Sequence, residues 1–74
     1  MAEKTVPASI VLHVGETAGA VWGTLSQKGP LTFAKLVQAV GEPRDTVMQA
    51  IGWLAREDKI DISERKRVQV VSLK

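Results

Sequence analysis

The stretch LTFAKLVQAVGEPRDTVMQAIGWLARED, residues 31–58, decides the fold of this 74-residue chain. In its first half, apolar residues recur at helical spacing between Thr32, a good N-cap, and Gly41, which predicts a helix over residues 33–40. The second half repeats that spacing at Val47, Ala50, Ile51 and Leu54. Only residues 41–43 or 41–44 lie between the two patterns, so the stretch reads as a helix-turn-helix.

The second of these helices is predicted to span residues 43–58. Pro43 suits a first helical turn, and Asp45 can cap or complement the positive end of the helix dipole. With roughly 100° per residue, the apolar positions form one buried stripe. The opposite strip is polar except for a glycine and a tryptophan, so we look for the functional residues of this helix on that strip.

The region before residue 31 predicts one more helix. In residues 16–29, Ala18, Val21, Trp22 and Leu25 recur at i, i+3, i+4 and i+7, which places Trp22 in the core. The preceding run SIVLHV, residues 9–14, is β-branched and apolar, so we expect a short strand there that Gly15 ends. Residues 1–8 read as a loose N-terminal tail, which leaves residues 9–74 as a single domain.

The region after Asp58 changes from helical spacing to alternation. Ile60 and Ile62 share one face of a predicted strand, and ERKR, residues 64–67, forms a charged tip. The returning segment alternates until Val71 shifts the pattern, which suggests a bulge. These features predict a C-terminal β-hairpin with a basic tip.

Composition excludes several classes of function. The chain has no cysteine and one histidine, His13, so disulfides, thiolate metal sites and paired-histidine sites are ruled out. No serine has a base at a plausible spacing, and no glycine-rich segment carries a phosphate-loop lysine. We therefore expect no enzyme, no cofactor and no metal. The N-terminal apolar run is too short for a signal segment or a membrane span, and a cytoplasmic protein is expected.

The element order is helix, short strand, helix, turn, helix and hairpin, an α+β winged helix-turn-helix with three helices and a small antiparallel sheet. The segments GETAGAVWGTL, GPLTFAKLVQAVG and AIGWLAREDKI resemble a small prokaryotic family of stand-alone winged helix-turn-helix domains of unknown function. The resemblance covers about residues 15–73. It implies the fold and a DNA-binding, transcription-associated architecture, without an established activity.

The first functional hypothesis is therefore binding of double-stranded DNA. In this reading the third helix enters the major groove and the wing, residues 64–67, grips the phosphate backbone. The charge of this helix does not favour DNA binding, since residues 42–58 hold two arginines and four acidic residues. The net charge of the whole chain is only +2. The candidate DNA-binding residues are Arg44, Thr46, Gln49, Arg56, Arg65, Lys66 and Arg67.

The alternative hypothesis is a protein-interaction or dimerisation module that does not read DNA. Trp53 is predicted to point away from the core, and an exposed tryptophan often anchors an interface. Gly19 and Gly23 lie four residues apart on a helix face that reads as exposed. Three readings of the Trp53 ring stay open: the segment 9–14 covers it, a partner or a second copy of the chain covers it, or it contacts nucleic acid or stays partly exposed beneath the wing.

Overall fold

A computed structural model describes residues 8–74 of the chain, with side chains described from Ile10 onward. Its elements, in chain order, are α1 (Ala8–Lys28), β1 (Leu31–Thr32), α2 (Phe33–Val40), α3 (Arg44–Arg56), β2 (Ile60–Arg65) and β3 (Val68–Leu73). The predicted class is confirmed, since three helices stand beside one small antiparallel sheet in the described part of the chain. The predicted tail lies outside the described residues except for Ala8, where α1 begins.

The helix-turn-helix follows from strong local signals at its ends. The Thr32 hydroxyl accepts a hydrogen bond from the Lys35 backbone N–H at 3.2 Å, which caps α2. Gly41 closes α2 in the left-handed conformation, with a φ of 78°, where a residue without a Cβ is favoured. Helix α3 is shorter than predicted at both ends. It begins at Arg44, after Pro43, and it ends at Arg56, because Glu57 and Asp58 form a turn instead of continuing the helix.

The predicted strand over residues 9–14 is wrong, because α1 is a continuous helix of 21 residues that passes through Gly15. A β-branched run favours a strand only where a neighbouring strand can pair with it, whereas a helix satisfies its own backbone hydrogen bonds. One interior glycine costs about 1 kcal/mol, which the packing of α1 against α3 offsets. Ile10, Val11 and Leu12 are exposed, so this segment does not cover Trp53 as one reading expected.

The sheet has the order β1–β3–β2, and both strand pairs are antiparallel. Pairing along the hairpin is unbroken from Ile60 opposite Leu73 to Arg65 opposite Val68, so the suggested bulge is absent from it. The shift in the apolar pattern has another cause: Val71 faces the core, whereas Val68 lies on the other face and is exposed. The short β1 joins the wing to the start of α2 through the pairing of Thr32 with Val70.

The core lies where α1, α2, α3 and the sheet meet. The fully buried Leu36 of α2, Val47 of α3 and Val71 of β3 come from three different elements. Thr17 of α1 is also buried, and its hydroxyl has no hydrogen-bond partner among the described residues. The buried apolar residues are Ala18, Val21, Leu25, Leu36, Val47, Ala50, Ile51, Leu54, Ile60 and Val71.

Candidate nucleic-acid interface

The wing ends in a tight turn made of two cationic residues. Strand β2 ends at Arg65 and β3 begins at Val68, so Lys66 and Arg67 alone connect them. Both have positive φ, 52° and 69°, as a type I′ hairpin turn requires. Such turns favour asparagine and glycine, so two long cationic side chains occupy this tip at some conformational cost. The turn holds their charges at the far end of the hairpin, exposed to solvent.

An open groove of about 450 Å³ lies between the wing and the first turns of α2 and α3. We call it the wing groove. Arg44, at the start of α3, and Arg67, at the wing tip, both line it, although they are far apart in sequence. Glu64 also lines the groove and offsets part of their charge. The wing groove is lined by Thr32, Phe33, Ala34, Arg44, Glu64, Arg67, Val68 and Gln69.

The predicted DNA-reading residues of α3 do not all lie at this groove. Gln49 and Arg56 are exposed on the outward strip, whereas Thr46 is half-buried. Arg56 stands twelve residues after Arg44, which is roughly 18 Å along a helix at 1.5 Å per residue. The structure therefore brings Arg44 together with the wing and leaves Arg56 at the other end of α3.

The acidic residues around α3 are concentrated near its two ends, and two of them have cationic or histidine partners. The Glu42 carboxylate lies 3.0 Å from His13 Nε2, which joins the turn before α3 to α1. The Asp58 carboxylate accepts a hydrogen bond from Lys74 Nζ at 2.5 Å. This hydrogen bond, together with the charges of Asp58 and Asp61, raises the pKa of Lys74 above its ordinary value. Asp58 follows the carboxyl end of α3, far from the wing groove.

A second groove, of about 290 Å³, lies on the opposite flank of α3, between α3 and α1. Trp22 and Trp53 both line it, and the two residues are 46% and 47% exposed. We call it the indole groove. Its lining residues are Gly15, Ala18, Gly19, Trp22, Trp53, Leu54 and Lys59.

Two of the three predicted interface residues line this groove. Trp53 is exposed as predicted, and Gly19 lies beside it, whereas Gly23 is not among the lining residues. The prediction that Trp22 belongs to the core is wrong, because the buried stripe of α1 is centred on Val21 and Leu25 and places Trp22 at its edge. A signal for this flank was present in the sequence: Gly15, Ala18, Gly19 and Trp22 share one helix face at i, i+3, i+4 and i+7.

Residues 8–74 contain no group of three or more histidine, cysteine, aspartate or glutamate side chains arranged to hold a metal ion. In the same part of the chain, none of the helices combines the length and apolar character needed to cross a membrane.

Comparisons with known proteins agree on the fold. The family model described as "Winged helix-turn-helix domain (DUF2582)" matches residues 2–73. An uncharacterised protein of Methanocaldococcus jannaschii, MJ1608, is 38% identical over 63 residues, which is 82% of this chain and 90% of that protein.

Two solved structures have the same architecture. The solution structure of protein BT2368 from Bacteroides thetaiotaomicron has a TM-score of 0.76 and 30% identity, and the match covers 82% of this chain and 74% of that one. The Zalpha domain of Carassius auratus PKZ, solved in complex with Z-DNA, has a TM-score of 0.72 and 20% identity over 82% and 97% of the two chains. The match to the family model spans nearly the whole sequence, and the chain belongs to the winged helix-turn-helix domain family DUF2582.

Proposed function

We propose that this protein is a DNA-binding module associated with transcription, which uses the wing groove and the wing to hold the backbone of double-stranded DNA. The observation that carries the proposal is the position of Arg44 and Arg67 in one open groove. Two arginines that line one groove suit a phosphate, because each guanidinium group presents several N–H donors and a permanent charge. Arg65 and Lys66 extend the cationic surface along the wing.

The acidic residues around α3 are divided between its two ends. Asp58 lies beyond the carboxyl end of α3, about 20 Å along the helix direction from Arg44. Exposed charges are screened over about 8 Å at physiological ionic strength, so this acid has little effect on a phosphate at the wing groove. The acids at the far end of α3 therefore have little effect on a phosphate at the wing groove, whereas Glu42 and Asp45 lie beside Arg44 in the sequence and offset part of its charge.

The exposed strip of α3 supplies the residues proposed to contact bases. Gln49 presents an amide that can pair with an adenine edge, and Thr46 lies one turn before it with a hydroxyl. Arg56 is proposed to contact phosphate at the other end of the helix. The Zalpha neighbour supports the proposal only through shape, since a chain with this fold was solved on a nucleic acid double helix.

The test measures binding to a labelled 20-base-pair duplex of mixed sequence by fluorescence anisotropy at 50 and 200 mM NaCl. The double change Arg44→Gln/Arg67→Gln is expected to weaken binding roughly 10- to 100-fold and to reduce the salt dependence by about two phosphate contacts. Lys59→Gln is the matched control, because it removes a charge from the indole groove instead. Equal losses in both variants, or no loss in the double variant, would refute the role of the wing groove.

A second candidate function is association with another protein through Trp53 and Gly19. The observation that favours it is that these two predicted interface residues line one apolar groove beside a second exposed indole ring. Gly23 stays a candidate without a place in that groove. The two functions use opposite flanks of α3, so one chain can carry both.

A further inference from the structure

We infer that a third groove, lined by Lys28 and Lys35, holds a further stretch of the phosphate backbone of the same duplex. The inference rests on the proposed function and deepens it, because it extends the DNA-binding surface beyond the wing groove. It follows from the charge of the third groove, from its continuity with the wing groove across α2, and from a lysine at a helix position where helix stability favours an acid.

The third groove is open, has a volume of about 310 Å³ and lies where the end of α1, β1 and α2 meet. We call it the lysine groove, and its lining residues are Lys28, Leu31, Lys35, Gln38 and Ala39. Residues 17–41, which include all of them, contain no aspartate or glutamate. Both lysines are exposed, and neither forms an ion pair with another of the described residues. The lysine groove therefore has two positive charges and no acid among its lining residues, whereas the wing groove includes Glu64.

The outward side of α2 joins the lysine groove to the wing groove. Ala34 lines the wing groove, Lys35 and Gln38 line the lysine groove, and all three residues are exposed. Because both grooves border this one helix, they are separated by about 10–12 Å, the diameter of a helix with its side chains. Successive phosphates of one DNA strand are spaced by about 3.4 Å along the duplex axis. Phosphates roughly three nucleotides apart on one strand can therefore lie in both grooves.

Lys35 occupies a position where the stability of α2 favours an acidic residue. Thr32 caps α2 by accepting a hydrogen bond from the Lys35 N–H, so Lys35 is the third residue of the helix. After a threonine cap, a glutamate or glutamine at this position completes a capping box, and the helix dipole disfavours a cation there. No acidic residue lies in the first turn of α2 to offset this cost. Contact with a phosphate would explain a lysine that the helix itself does not favour.

Lys28 has a structural explanation of its own, since it lies in the last turn of α1, where a cation complements the helix dipole. Its place beside Lys35 nevertheless doubles the charge of the lysine groove. A lysine ammonium group binds phosphate as a point charge, so two flexible lysines need no rigid geometry to hold the backbone. We favour a duplex over an acidic protein segment because the evenly spaced phosphates of one strand reach both grooves.

The first test compares Lys28→Gln/Lys35→Gln with the wild-type full chain in binding to the labelled duplex at low and high NaCl. The double variant is expected to bind roughly tenfold more weakly at about 50 mM NaCl and to reduce the salt dependence by about two phosphate contacts. Lys59→Gln is the control for loss of a charge outside both cationic grooves, and it should weaken binding less than about threefold.

Lys35→Glu separates binding from folding because its two effects have opposite signs. A glutamate completes the capping box with Thr32, so the melting temperature should rise by about 2 °C or more. Duplex affinity should nevertheless fall roughly tenfold or more, because a carboxylate replaces the ammonium group at the phosphate. Lys59→Glu is the matched control, since it changes the net charge equally but lies in the indole groove. A Lys35→Glu chain that is less stable and binds the duplex normally would show that Lys35 serves the fold instead.

The outcomes distinguish this inference from the proposed function. If Arg44→Gln/Arg67→Gln weakens duplex binding but the Lys28 and Lys35 variants lose no more than the Lys59 variants, the inference alone is overturned. If only the Lys28 and Lys35 variants weaken binding, the lysine groove is supported and the role of the wing groove is refuted. A wild-type chain that binds labelled polyglutamate but no duplex would refute both.

Discussion

Helix α3 separates two grooves of opposite chemistry. The wing groove has two arginines and a glutamate on walls drawn from α2, α3 and the hairpin, whereas the indole groove has two tryptophans, two glycines and a single lysine between α1 and α3. The α1 flank is largely apolar, and both of its tryptophans are half-exposed among the described residues. The difference teaches that one helix can present a charged groove on one flank and a largely apolar groove on the other.

The largest expected effect removes the support that both grooves share. Leu36 is fully buried in the core behind them, so Leu36→Ala should lower the free energy of unfolding by about 2–5 kcal/mol in urea denaturation. Leu12→Ala is the control, because Leu12 is 64% exposed and its truncation should change stability by less than about 0.5 kcal/mol. A loss below 1 kcal/mol for Leu36→Ala would mean that the core does not depend on α2 as described.

The next prediction separates the grooves by their response to salt. If four cations at the start of α3 and on the wing contact phosphates, raising NaCl from 50 to 200 mM should weaken duplex binding roughly 100-fold. Any association through the indole groove, the second candidate function, should change less than about threefold, since burial of apolar surface is not screened by salt. Anisotropy and sedimentation on one sample series measure both. Equal salt dependence of the two processes would break the distinction between the grooves.

The third prediction concerns the α1 side of the core. The buried Thr17 hydroxyl has no hydrogen-bond partner among the described residues, so Thr17→Val should raise the free energy of unfolding by about 1 kcal/mol. Thr24→Val is the contrast, because the Thr24 hydroxyl donates to the Ala20 carbonyl at 2.8 Å. A destabilised Thr17→Val variant would indicate that the hydroxyl is hydrogen-bonded, and chemical denaturation decides the sign.

The fourth prediction sharpens the role of the wing turn. Lys66→Asn places a residue that tolerates positive φ in the type I′ turn, so it should stabilise the chain by about 0.5 kcal/mol. Lys66→Gln removes the same charge without that conformational benefit. Both variants should reduce the salt dependence of duplex binding by about one phosphate contact. If only one of them does, turn geometry rather than charge controls the contact.

The smallest effect lies beside the indole groove, where Lys74 joins Asp58. The pair raises the pKa of Lys74 above 10.5, so its stabilising contribution is fully present below pH 10.5 and is lost as pH rises through the raised value. The stability difference between the wild-type chain and Asp58→Asn should therefore be constant from pH 8 to 10 and disappear at higher pH. A difference that grows with pH would contradict the pairing.

The sequence predicted the helix-turn-helix and the wing closely because short-range signals specify them. Thr32 and Gly41 set both ends of α2 within ten residues, and alternation after Asp58 specifies the hairpin. The exposure of Trp53 also followed from helical spacing alone. In each case the decisive interaction joins residues that are close in sequence.

The errors arose where distant packing decides the outcome. The run over residues 9–14 suits a strand or a helix equally, and the structure has no strand beside it to pair with. Whether Trp22 is buried depends on which flank of α1 faces α3, and the spacing within α1 cannot specify that orientation. For the same reason, the meeting of Arg44 with Arg67 could not be read from a pattern, because it requires the hairpin to fold back toward the start of α3.

Thr32 gives the wing a mechanical connection to the helix-turn-helix. Its hydroxyl caps α2 at the Lys35 N–H, while its backbone belongs to β1 and pairs with Val70 of the wing. A load that tilts the hairpin is thus transmitted to the first turn of α2 through one residue. Hydrogen exchange at the Lys35 amide should therefore report movement of the wing. Its protection should change when a partner binds the wing tip, even if Lys35 itself does not contact that partner.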